Sequence, residues 1–171
     1  MKRPLFILCL AVLAYWSWER WSGRAIDYPP GVLVDARPQQ VDVQPSSFFL
    51  EDYELTRRAR FEIHARVLSK EPYHLRRESD LSPLDLALGW GVMSDQAMLD
   101  RIDISQSNRW YHTRYEFPAP LPDEQIIANS SNMHMIPARK SIERQLKDLR
   151  PGNIVTLEGY LVDVDLSLIH I

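Results

Sequence analysis

Proline sets the first constraint on this chain. Twelve prolines are spread over 171 residues, and inside a helix each removes a backbone donor and clashes with the carbonyl one turn earlier. A regular helical bundle does not tolerate that number, so the chain must be built from short elements separated at its prolines. The composition around them is that of a folded protein. It is 45% hydrophobic and 25% charged with only 6 Gly, which excludes a low-complexity or globally disordered chain. A single Cys excludes a disulfide framework and a cysteine-based zinc cage within the chain.

The run from Pro4 to Trp18 is almost unbroken in apolar character and follows Lys2 and Arg3, the pattern of an export or anchoring signal. Carried on to Trp21, it is just long enough to cross a hydrocarbon core that needs about 20 residues. Trp16, Trp18 and Trp21 crowd its far end, where indole rings favour the headgroup interface. The small-x-small site Gly23-Arg24-Ala25 follows an unsuitable Trp/Glu/Arg stretch, and cleavage there is the alternative to the expected uncleaved signal anchor over residues 1–21. Cys9 follows Phe, Ile and Leu rather than small residues, so it reads as a packed small hydrophobe and not a lipidation site. Lys2, Arg3 and the amino terminus oppose Arg20 and Arg24 with Glu19 between. Positive-inside counting then favours a cytoplasmic N-terminus. The expectation is a single-pass inner-membrane protein with its body exported to the periplasm.

Residues 22–47 hold Pro29, Pro30, Pro38 and Pro45 among Gly, Ser, Gln and Asp. They carry no burial periodicity and read as a semi-extended tether. From 26 to 165 there are 16 Lys and Arg against 22 Asp and Glu, a net charge of −6. That balance argues against nucleic acid or an anionic membrane surface as the main partner. The cluster Arg57, Arg58, Arg60 and Arg66 has the make-up of an anion site, but such a run is more often the solvated face of a strand.

An α+β domain is expected over 48–165. Ala59, Phe61, Ile63, Ala65 and Val67 alternate with Arg60, Glu62, His64 and Arg66, the period-2 mark of a half-buried strand. Ser82-Pro83 reads as a helix start, with Leu84, Ala87 and Leu88 on one face and Gly89-Trp90-Gly91 as its stop. Ser94-Asp95 opens a second short helix reaching about Ile102. Ile102 to Gln106 and Arg109 to Phe117 read as strands around a tight turn at Ser107-Asn108. Short elements follow: a helix over Asp123–Ser130, a strand at Met133–Ile136 and an amphipathic helix over 139–149 with Ile142, Leu146 and Leu149 inward. Ile154–Val164 reads as a long strand with apolar residues on both faces and so is expected to be covered on both sides, with Gly159 as a bend or bulge within it. Strands interspersed with short helices, without strand–helix–strand alternation, point to α+β rather than a doubly wound sheet. The expected architecture is a small curled sheet or partly open β-barrel decorated by short helices.

The last six residues, Leu166-Ser-Leu-Ile-His-Ile171, resemble the in-frame translation of a sequencing-library adapter; an ordinary apolar strand end is the alternative. Residues 166–171 are therefore expected to be scar, the domain at 48–165 incomplete at its C-terminus, and His170 without functional weight.

Four separated motifs carry a resemblance. Ser82-Pro-Leu-Asp-Leu-Ala-Leu-Gly-Trp-Gly-Val-Met-Ser-Asp95, Ile104-Ser-Gln-Ser-Asn-Arg-Trp-Tyr111, Asn129-Ser-Ser-Asn-Met-His-Met-Ile-Pro-Ala138 and Gly159-Tyr-Leu-Val162 resemble, in order, the hallmarks of a family of short, uncharacterised bacterial proteins. The resemblance covers about residues 55–164. It implies an N-terminal membrane segment, a Pro-rich tether and one domain, with a further Trp-rich C-terminal strand region ending in a Gly-Ala-Cys-Glu-like sequence. No activity comes with it.

Chemistry-bearing residues are few. Ser130, Ser131 and His134 have the types of a nucleophile and base, with Asp95 or Asp85 to orient the imidazole. A Gly-x-Ser-x-Gly elbow is missing, and a His between two Met on a short strand is more often a core or lining residue. His64, His74, His112 and His134 show no metal-ligand spacing, so neither a metal nor a cofactor is expected. Trp90 in a Gly-flanked loop, and Arg109, Trp110 and His112 on a strand, suit glycan stacking or peptide capture. Taken singly, each Trp is the kind of residue that fills a core. The candidate binding set is Trp90, Asp95, Arg109, Trp110, Asn132, His134 and Tyr160. The function expected from it is a membrane-tethered cell-envelope binding or accessory domain without catalysis, whose partner is an envelope protein or a glycan. The alternative is a small envelope hydrolase using His134 with Ser131 or Asp95. An oligonucleotide-binding barrel is disfavoured by the net negative charge.

Overall fold

A computed structural model of the chain describes residues 24–74 and 78–165. The expected anchor at 1–21 and the expected scar at 166–171 lie outside the described residues. Among those residues no helix is long and apolar enough to cross a membrane.

The spine is β2 (Tyr53–Pro72), a 20-residue strand. Ala59, Ile63, Ala65 and Val67 are at most 1% exposed, while Arg60, Glu62 and His64 face solvent, as the period-2 pattern requires. One edge of β2 takes two partners in succession. β1 (Gln39–Leu50) lies along Tyr53–Glu62, and β3 (Leu84–Gly89) along Arg66–Pro72. The other edge takes β7 (Ile154–Asp165) from Glu54 to Arg66. β6 (Ser130–Met135) extends the sheet beyond β3. All pairings are antiparallel. A separate hairpin joins β4 (Asp103–Ser107) to β5 (Trp110–Arg114).

The helices are short: α1 (Glu78–Leu81), α2 (Gln96–Leu99), α3 (Asp123–Ala128) and α4 (Lys140–Asp148), with a 3-10 turn at Gly91–Ser94. The fold is thus α+β, an open, mostly antiparallel sheet carrying a few short helices. The main core gathers Ile63, Ala65 and Val67 of β2 with Leu84, Leu86 and Leu88 of β3 and Leu146 of α4. A second cluster, with Leu68, Ala87, Met93, Ile102 and Ile126, packs the 3-10 turn and the hairpin.

Three expectations are corrected. Residues 84–89 form β3 and not a helix. Every residue of β3 is buried, because Leu84, Leu86 and Leu88 enter the main core while Ala87 meets the second cluster. A strand covered on both faces is apolar throughout, and apolar periodicity cannot tell it from a short buried helix. Residues 26–50, placed in the tether and at the start of the domain, are folded onto the sheet. Val34 is 2% exposed, and the Leu33 and Val34 amides donate to Ser94 Oγ at 3.1 and 3.0 Å. Ile26 N–H donates to Pro151 O at 2.9 Å. Gly152 permits that approach: at φ +92° its Cβ position would lie 2.3 Å from Ile26 O. β7 is not covered on both faces. Val155 and Leu157 pack into the main core, whereas Val162 and Val164 join a cluster with Leu55 and Leu81. The inward face switches where the β2–β7 register shifts between Arg57 and Ala59.

Candidate functional site

The centre of the polar site is Asp85, the second residue of β3 and 0% exposed. Strand alternation turns Asp85 and Ala87 away from the leucines of β3, toward the hairpin side. A buried carboxylate there needs charged or hydrogen-bonding partners, and it receives three, one from the β4–β5 turn and two from β6. Arg109 Nη1 donates to Asp85 Oδ1 at 2.7 Å. His134, directly opposite on β6, places Nδ1 2.9 Å from Asp85 Oδ2. Asn132 Nδ2 lies 3.4 Å from the same oxygen and donates to Arg109 O at 3.0 Å.

Arg109 is held from every side. Its guanidinium also donates to Ser82 O at 2.8 Å and to Ser82 Oγ at 3.3 Å. It lies 3.8 Å over the Tyr73 ring, a cation–π contact. Its own amide donates to the Tyr73 hydroxyl at 2.9 Å, and burial raises the Tyr73 phenol above its ordinary pKa. The backbone explains the need for these contacts. Asn108 and Arg109 form the turn of the hairpin with φ of 51° and 69°, the pair of positive φ values that a two-residue primed turn demands. Asn adopts that region readily, but Arg does so only when its surroundings hold it there.

Outward from this cluster, the His134 side chain is 54% exposed and that of Arg109 22%. Trp110, next in sequence to Arg109, is 71% exposed. The site is therefore a polar anchor that reaches solvent through an imidazole and a guanidinium edge, with the Trp110 indole on the outer face of the hairpin, opposite Tyr111.

Of the expected residues, Arg109, Asn132 and His134 converge, and Trp110 follows Arg109 in the chain. Trp90, Asp95 and Tyr160 make their contacts elsewhere. Trp90 is 7% exposed and belongs to the main core. Asp95 caps α2, accepting from Ala97 N at 2.9 Å and Gly31 N at 2.8 Å. Tyr160 lies on β7 with the Arg57 guanidinium 5.1 Å from its ring. Sequence reading left Ser82, Tyr73 and Gln106 out of the set, and named Asp85 only as an orienter of His134. Asp85 alone carried a signal, as a lone carboxylate in Leu84-Asp85-Leu86-Ala87-Leu88. Gln106 enters by donating from Nε2 to Asn132 Oδ1 at 2.7 Å.

The hydrolase constellation is corrected in the same way. Along β6 the register with β3 is unbroken, so Ser131 points to the face opposite His134. Ser130 shares the face of His134 but lies four residues along the strand, about 13 Å away. Its hydroxyl donates to Ile126 O at 2.6 Å and contacts the Tyr111 hydroxyl at 2.7 Å. Asp95, the cap of α2, is not the partner of His134; Asp85 is.

The arginines of β2 do not form one anion site. Arg58 pairs with Asp163 at 2.6 Å and Arg60 with Glu158 at 3.8 Å. Arg57 stacks 4.3 Å from the Phe48 ring, and Arg66 is buried. Among the described residues no group of three or more His, Cys, Asp or Glu is placed to hold a metal ion. Comparison of the chain with family models, curated proteins and solved structures returns no match.

Proposed function

We propose that this chain is a membrane-tethered, exported domain of the bacterial cell envelope that acts by binding a protein partner and performs no catalysis. One observation carries the reading: Arg109 is pinned in a left-handed backbone conformation by a buried carboxylate, directly beside a Trp110 that is 71% exposed. Strain at a hairpin tip persists only where surrounding contacts over-determine it. Trp and Arg are the residues that dominate protein interfaces, and a pre-ordered tip loses less entropy on docking. The anchor at residues 1–21 would hold the domain at the inner membrane, facing the periplasm. The register shifts where β2 pairs with β1, β3 and β7 support a sheet curled toward a partly open barrel.

A photo-crosslinking side chain at position 110 of the full-length chain, expressed in bacteria, tests this reading. The expected outcome is a discrete envelope adduct, lost on Arg109→Ala and kept on Tyr160→Ala. No adduct, or an adduct indifferent to Arg109→Ala, overturns it. Retention of the chain on isolated cell-wall glycan, lost on Trp110→Ala, would replace the protein partner with a glycan. Fractionation checks the tether: the full chain should stay with membranes after a high-salt wash, and release of a form starting near Ile26 overturns the uncleaved anchor. The hydrolase reading retains one observation, the Asp85–His134 hydrogen bond, but Ser131 lies on the opposite face of β6 and Ser130 four residues along it.

A further inference from the structure

A second site lies apart from the Asp85 cluster. A cavity of about 390 Å3 opens between residues 25–27, the middle of β2, α2 and the start of β4. Leu68, Leu99, Ile102 and Ile104 make its apolar wall. Arg66, 3% exposed, is its one cation, and Asp27, Asp100 and Asp103 are its carboxylates.

Arg66 is in an unusual state for a buried guanidinium. Nη1 donates to Ser94 O at 3.1 Å, and Nη2 donates to Ile26 O at 3.2 Å and to Gln96 Oε1. All three acceptors are neutral. Nε is buried with no acceptor, and no carboxylate lies within ion-pair distance of Arg66 among the described residues. Burial pushes the guanidinium below its ordinary pKa, against the pull of Tyr28, Asp27, Asp100 and Asp95. A buried charge that lacks a counter-ion is costly to keep, and a ligand anion would relieve that cost.

A simple anion does not fit, because the same cavity carries three carboxylates against one guanidinium. A simple cation does not fit either, since it leaves Arg66 uncompensated. A molecule with both charges and an apolar body satisfies the floor, the carboxylates and the wall together.

We propose that this cavity binds a small zwitterion of the class of a free α-amino acid or dipeptide, with its carboxylate at Arg66, its ammonium among Asp27, Asp100 and Asp103, and its apolar side chain against Leu99 and Ile102. The site is separate from the hairpin-tip surface, so each stands or falls without the other.

Thermal unfolding of the full-length chain is the test, with L-leucine and L-alanyl-L-leucine as probes at about 10 mM, where a ligand that binds only the folded state raises the midpoint. Leucinamide supplies the cation alone and 4-methylpentanoate the anion alone. The expected result is a rise with at least one zwitterion, growing with the logarithm of its concentration, and binding by both single-charge analogues at least about tenfold weaker. No rise with either zwitterion, or a 4-methylpentanoate effect equal to that of leucine, overturns the proposal. Because Arg66→Gln can fail to fold, the deciding variant is the exposed pair Asp27→Asn with Asp103→Asn. It should leave the midpoint of the free chain unchanged and weaken the binding of the responding zwitterion about tenfold. Unchanged binding in that variant also overturns the proposal.

Discussion

Asp85 shows how one residue organises a site. In a strand whose every residue is buried, a lone carboxylate is a large desolvation cost unless it is paired. The pairing with Arg109 at 2.7 Å and His134 at 2.9 Å offsets that cost and fixes the positions of both partners. Removing the carboxylate leaves a partly buried guanidinium without its counter-ion. Asp85→Ala is therefore expected to lower stability by about 3–5 kcal/mol, the range for breaking a buried pair from one side. Urea unfolding measures it, and a loss under about 1 kcal/mol would mean that Asp85 is not the anchor. The oddity of Asp85 was legible in its apolar run. Its partner was not, because Arg109 sits 24 positions away and reaches it only through a turn whose second positive φ falls on Arg109 itself, which no local pattern announces.

At the scale of elements, local pattern and burial had unequal success. The period-2 run of β2 and the amphipathic run of α4 were both legible, because each has one wet face and one dry face. β3 was not, since both of its faces are dry and the alternation is erased. α4 shows how an element carries its own pH response. Lys147 at 2.6 Å and Lys140 at 3.1 Å flank Glu143, and their hydrogen bonds hold its carboxyl below the ordinary value of 4.5. A lowered carboxyl pKa means that the unfolded chain binds the proton more readily. The stability contributed by Glu143 is then complete above 4.5 and is lost as pH falls through the lowered folded value. Glu143→Gln should flatten the acid side of the stability profile while reducing stability at neutral pH only slightly, as exposed helix pairs contribute about 0.3–0.5 kcal/mol. Thermal melts between pH 3 and 7 would show it, as about the range that brackets the transition. Parallel acid limbs in the two proteins would refute the assignment. Lys70 adds a second support, donating from Nζ to Lys147 O at 2.5 Å and to Leu149 O. It meets the carbonyl end of α4, where cations are favoured.

The whole molecule departs most from sequence expectation at its described beginning. Residues 26–34 have the composition of a linker, yet their backbone groups are taken up by Ser94, Asp95, Gln96 and Pro151. Limited proteolysis of the full chain should therefore spare the bonds from 26 to 34 under conditions that leave the sheet intact. Rapid trimming there would show a free tether, because cleavage needs locally unfolded backbone. The same segment forms one wall of the cavity at Arg66, so this protection should rise further with whichever zwitterion binds.

The sequence by itself determined the class of the fold, the strands with one wet face, the shortness of the helices and a tight turn at Asn108. These follow from side-chain periodicity, proline placement and residues that accept positive φ, all of which act within a few positions. Only the tertiary structure decided that β3 is a strand, that residues 26–34 belong to the body, and that Asp85, Arg109, Asn132 and His134 meet. Contacts such as Val34 with Ser94, Arg66 with Ile26 and Asp85 with His134 span 60, 40 and 49 positions. Hydrogen bonds between such distant groups leave no periodic trace, and exist only once the sheet has brought their ends together.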